Sequence, residues 1–234
     1  MAVAELVGVG CDLETFGDPF EYALQPWRRL EEKAGIRAVT CGDVSLFDPT
    51  KDQLETILSP YADTPLYVIG WNIPFDIAWL IAEGLEDLCL RIKWVDAMLL
   101  WRHWVVQPES ELSKAKRKSF SLEAALKEFY PEAAGIKGFT DFNTQDPEQL
   151  KKLMERNSGD ANYTYRLAKD FWEKLTPEQR NCALIEARCL PLVAGATVRG
   201  LAVDSQQTSK LREELKATII KDYRELIKVS PGNP

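Results

Sequence analysis

Across 234 residues, 29 Lys and Arg stand against 36 Asp and Glu, a formal net charge of −7, which excludes a protein that coats nucleic acid through a broad basic surface. Hydrophobic residues at 45% and charged residues at 28% lie in the ordinary globular range and exclude global disorder. The charge is uneven: the first 113 residues hold 19 acidic and 8 basic side chains and the remainder 17 and 21, an asymmetry that directs attention to a polyanionic partner.

In chain order, residues 3–11 read as a strand, mostly apolar and ending where Asp12 begins. Ile36–Cys41 and Val44–Phe47 are two short strands around a Gly42-Asp43 turn, and Lys51–Leu58 is a helix with Leu54, Ile57 and Leu58 on one face. Pro65–Trp71 reads as a buried strand. Asn72 then caps a helix that has Pro74 in its first turn and Gly84 just past its end. A strand at Ile92–Val95, a helix at Ala97–Trp104, a basic loop at Ser113–Ser119 and an amphipathic helix at Ser121–Tyr130 follow. Asp146-Pro147-Glu148-Gln149 and Thr176-Pro177-Glu178-Gln179 share one helix-start grammar: cap, Pro at the first position, Gln at the third. The first opens a helix to about Leu175 with a weak point at Ser158-Gly159. The second opens a helix to about Val198, Gly200 ends it, and Asp204 caps a last helix to about Ile227. Strands therefore lie before residue 96 and only helices after 176, which puts a domain boundary near 176.

Five cysteines (11, 41, 89, 182 and 189) without a CxxC pair read as the reduced thiols of a cytoplasmic protein, and a single His, His103, leaves a His-rich zinc site or a His-based triad without ligands. Apolar runs such as Ala97–Trp101 are far shorter than a membrane span, so no membrane partner is expected. Carboxylates carry the chemistry instead. Asp12 and Glu14 stand two residues apart on a strand and so share a face. Asp76 falls in the first turn of a helix, and Asp160 lies on the long helix. Close carboxylates repel unless a cation neutralises them. An all-oxygen set selects Mg²⁺ or Mn²⁺, and two such ions suit phosphodiester hydrolysis.

Asp12-Leu13-Glu14-Thr15, Asn72-x-x-Phe75-Asp76, and Asp160 with Thr164 four residues on resemble, in order and spacing, the three exonuclease motifs of the DEDD superfamily, above all the 3′–5′ proofreading domain of family A DNA polymerases. The resemblance covers residues 1–176. It implies an α/β fold, a ribonuclease H-like mixed sheet flanked by helices. It implies that Asp12, Glu14, Asp76 and Asp160 bind two divalent ions, Mg²⁺ or Mn²⁺, and that Thr15, Asn72 and Phe75 hold the 3′ end of single-stranded DNA. Residues 177–234, with Leu190-Pro191-Leu192 and Gly200-Leu201-Ala202-Val203-Asp204, resemble the passage from exonuclease into polymerase, an all-helical extension that points to a polymerase moiety in the same or a partner chain and to a bacterial or phage-infected cell. One position departs from the family: where its third motif has a Tyr that positions the attacking water, four residues before the last Asp, this chain has Arg156. Arg has no acceptor lone pair; it can meet a phosphate or pair with a site carboxylate. The alternatives are a weakened domain that binds DNA or braces a polymerase, and an RNA-trimming enzyme of the same superfamily.

Overall fold

The computed structural model describes residues 5–105, 119–133, 144, 146–200 and 205–229. The basic run Lys114–Lys118, the Asp141-x-Asn143 segment and the Asp204 cap lie outside them. Among the described residues a mixed sheet of five strands has the order β3-β2-β1-β4-β5: β1 Gly8–Gly17, β2 Ala34–Cys41, β3 Val44–Phe47, β4 Tyr67–Gly70 and β5 Lys93–Asp96. The β1-β2 and β2-β3 pairs are antiparallel, and β1-β4 and β4-β5 parallel. In chain order the helices are α1 Lys51–Leu58, α2 Pro74–Ala82, α3 Glu86–Arg91, α4 Ala97–Trp104, α5 Leu122–Phe129, α6 Pro147–Lys174, α7 Pro177–Arg199 and α8 Ser205–Val229. This is the α/β mixed sheet flanked by helices that the sequence implies.

Alternation along the central strands divides the core into two layers. Val68 and Trp94 pack with Cys11, Leu13, Ile77 and Trp79 on one face, while Ile69 and Val95 pack with Leu100, Trp101, Leu167 and Phe171 on the other. Trp101 stacks on Phe171 at 5.9 Å between centroids and 6° between planes. Because β4 and β5 are covered on both faces, they read as unbroken apolar runs. Both helix-start signatures are realised. The Asp146 carboxylate accepts from the Glu148 amide, and Thr176 and Gln179 exchange a capping box that opens α7.

Four expectations are corrected. The first strand begins at Gly8 and runs through Asp12 and Glu14 to Gly17, since β1 exchanges partners midway: residues 8–10 pair with β4 and residues 11–17 with β2. Polar residues are tolerated there because they meet polar groups of α6. Second, Asn72 is not a side-chain cap. It takes a left-handed backbone conformation, φ 55°, which Asn tolerates better than most residues, and Ile73 is the capping position of α2. Third, α6 is unbroken across Ser158-Gly159, because Leu153, Asn157, Ala161, Thr164, Leu167 and Ala168 form a buried stripe at helical spacing that outweighs the propensity of Gly. Fourth, the compact unit runs from residue 1 to Arg199, with Gly200–Pro234 as a second unit. Helix α7 stays with the sheet because Ala183, Ala187, Leu190 and Ala194 are buried in the two core layers. Among the described residues α7 is also a helix long and apolar enough to cross a membrane by length and composition, and those buried positions account for that composition.

Candidate metal centre

The site grows from β1. Gly10, Asp12 and Glu14 alternate onto the face covered by α6, while Cys11 and Leu13 face the opposite core layer. Gly10 is the point of closest approach: a Cβ there would fall 2.0 Å from the Ala161 carbonyl oxygen. One turn away from that contact α6 presents Arg156, Asn157 and Asp160 to the strand. One oxygen each of Asp12, Glu14 and Asp160 lie within 4.8 Å of one another. Arg156 Nε is 3.4 Å from Glu14 Oε1 and 3.6 Å from Asp160 Oδ2.

Asp76 stands to the side of that trio. Beyond Gly10 the edge of β1 has lost its β4 partner, so the Leu13 amide would be left without an acceptor. The Asp76 carboxylate, from the first turn of α2, takes that bond at 3.0 Å. It remains within electrostatic reach of Asp12 and Glu14. Burial pushes the Asp12 carboxyl well above the usual carboxylate range, and Glu14, Asp76 and Asp160 push it further; Arg156 opposes them. Burial likewise raises Asp76, against the bond from Leu13, with Asp96 and Glu14 adding to the rise. A group of carboxylates held together and short of positive charge is the donor set of a hard divalent ion. The residues present therefore fit Mg²⁺ or Mn²⁺: Asp12, Glu14 and Asp160 as a cluster, Asp76 adjoining.

The remaining sequence-predicted residues are distributed around this cluster. Thr15 follows a register shift in β1, is 8% exposed, and gives its hydroxyl proton to the Ala23 carbonyl at 2.8 Å. Asn72 is exposed at the head of α2, and Phe75 is half-buried with its ring 6.4 Å from that of Trp79. Two residues that sequence reasoning passes over belong to the site. Asn157, fully buried, donates from Nδ2 to Asp12 Oδ2 at 2.7 Å. Its signal was available: an amide at the centre of the apolar stripe Leu153, Asn157, Ala161, Thr164 needs a buried partner.

Asp96 is the second. From the end of β5 its Oδ1 accepts the Asn72 and Met98 amides at 3.0 and 2.9 Å, fixing the left-handed turn ahead of Asp76. Burial raises its pKa to about 6, and Oδ2 has no hydrogen-bond partner among the described residues. A carboxyl whose folded pKa is raised binds its proton more tightly when folded, so its contribution is full below pH 4 and is lost as pH rises through 6. Asp96→Asn keeps the acceptor and removes the buried charge. It is expected to stabilise the metal-free protein at pH 7 by about 2 kcal/mol relative to its effect at pH 4, read from urea denaturation at the two pH values. An equal effect at both would refute the assignment.

No protein-family model matches the chain, and no curated protein matches it. Among solved structures, one described as "apo form of the nuclease" aligns over 85% of this chain and 89% of that chain, with a TM-score of 0.55 and 18% sequence identity. The two share a fold.

Proposed function

We propose that this chain is a metal-dependent 3′–5′ exonuclease that hydrolyses the terminal phosphodiester of single-stranded DNA and releases nucleoside 5′-monophosphates. The observation that carries the reading is the convergence of Asp12, Glu14 and Asp160, with Asp76 adjoining, on a fold shared with a nuclease. In this reading Asp12, Glu14, Asp76 and Asp160 hold two divalent ions, which when bound supply Lewis-acid activation of water and neutralise charge developing on the scissile phosphate. Asn157 fixes the rotamer of Asp12, and Asp96 fixes the turn from which Asp76 projects, so two carboxylates are oriented by partners outside the ligand set. Asn72 and the half-buried ring of Phe75, at the head of α2, suit a flat base and its sugar. Residues 177–234 fit the start of a polymerase moiety, which makes proofreading the natural role and the cytoplasm of a bacterial or phage-infected cell the natural setting.

The test is degradation of 5′-labelled single-stranded DNA with Mg²⁺ or Mn²⁺, against chelator and against an RNA of the same sequence. A ladder shortening from the 3′ end, abolished by chelator, is the expected result. Faster loss of RNA would move the chain to the RNA-trimming branch. Absence of any shortening across a full metal titration would remove the reading.

A second reading has one observation behind it: Arg156 where a water-positioning Tyr would stand, its guanidinium between Glu14 and Asp160. On that reading the domain binds DNA or braces a polymerase and cuts slowly. Arg156→Tyr is expected to raise the single-turnover rate about tenfold, at the low end of what proton-transfer and water-positioning groups contribute. No gain in rate would show that Arg156 does not limit the chemistry.

A further inference from the structure

We propose that Arg156 is the resident cation of the acidic cluster: its guanidinium occupies the electrostatic place of a divalent ion, and metal binds by displacing it. The inference rests on the metal-site reading above and asks what sets the affinity of that site. Its Nε lies 3.4 Å from Glu14 Oε1 and 3.6 Å from Asp160 Oδ2, distances at which a permanent cation bonds to both acids electrostatically. The three side chains are 19%, 11% and 18% exposed, so solvent screens the contacts weakly. Arg156 and Asp160 are one turn apart on α6, and the helix is anchored against β1 at Gly10, so the pairing is built into the backbone. Asn157 adds a second neutralising donor from the same turn, to Asp12. Each member of the carboxylate trio thus has a positive or donor group from α6 at hand before any metal arrives.

Two consequences follow. The metal-free fold is stable, since the acids do not face one another unneutralised. The affinity for divalent ions is weakened, since an arginine cannot surrender its proton and must either move or repel the incoming ion.

Mn²⁺ binding to the full chain without DNA, followed by calorimetry and by the electron paramagnetic resonance of free Mn²⁺, tests this in four proteins. Arg156→Met and Arg156→Gln, two neutral variants of similar reach, are expected to bind Mn²⁺ at least about tenfold more tightly than the parent, a modest part of the interaction between unit charges at this separation. Arg156→Lys, which keeps the charge, is expected to remain weak. The neutral variants are also expected to melt lower than the parent without metal and to regain the difference at saturating Mn²⁺, an inversion that a purely structural role for Arg156 would not produce. Equal affinity in all four proteins would overturn the proposal and leave the metal site standing. Absence of Mn²⁺ binding in all four would overturn the metal-site reading and the proposal together.

Discussion

Asp12→Ala is expected to lower metal-dependent cleavage at least about 100-fold, since loss of even an outer partner of a metal ligand costs about 10–100-fold. The substitution removes the carboxylate that lies beside Glu14, Asp76 and Asp160 at once. Its effect on stability is expected to be small and of mixed origin. Asn157 Nδ2 loses its acceptor, a cost, while Glu14, Asp76 and Asp160 lose a neighbour that repels them, a gain. Activity and melting temperature measured on one preparation separate the two effects. Cleavage persisting unchanged in a folded variant would place the chemistry elsewhere in the molecule.

Gly10→Ala is expected to cost about 3 kcal/mol in urea denaturation, the upper end of ordinary overpacking. The added methyl would meet the Ala161 carbonyl oxygen at 2.0 Å and Tyr165 Cβ at 3.3 Å. The first of these is backbone, so no rotamer change relieves it, and α6 must lift from β1. Asp160 moves with the helix, so weakened Mn²⁺ binding should accompany the loss of stability. Gly159→Ala is the control. Nothing lies within 4 Å of a Cβ at that position, and alanine in a helix interior is neutral to stabilising relative to glycine, by up to ~1 kcal/mol. Equal stability of Gly10→Ala and the parent would show that the helix does not sit this closely on the strand.

Much of this arrangement is legible in the sequence because it depends on local grammar. The Asp146 and Thr176 caps sit where their spacing puts them, Lys51–Leu58 forms with the predicted ends, and alternation along β1 places Asp12 and Glu14 on one face. What is not legible depends on partners far along the chain. The true extent of β1 is set by β2, whose pairing carries the strand through two acidic residues that look like an ending. The left-handed turn at Asn72 is set by Asp96, 24 residues later, which takes its amide and leaves the Asn side chain out of the capping role. The separation of Asp76 from the carboxylate trio follows from the strand edge at Leu13, left open where β4 ends. For α7, propensity locates the helix, while its membership of the first compact unit rests on alanines whose burial no local pattern announces. Arg156 was singled out as a departure from a motif; its seat between Glu14 and Asp160 needed the helix to be docked.

Helix α6 runs for 28 residues, about 42 Å at the usual rise, and its two ends do different things. Near one end it carries Arg156, Asn157 and Asp160; toward the other, Phe171 stacks on Trp101 deep in the core layer. With no break between them, the catalytic turn cannot fray on its own. Amide protons at 156–160 should therefore exchange with solvent at rates set by global unfolding, within about 1 kcal/mol of those at 167–171. Adjustments during turnover would then fall to side chains and to the head of α2, over a backbone that stays fixed.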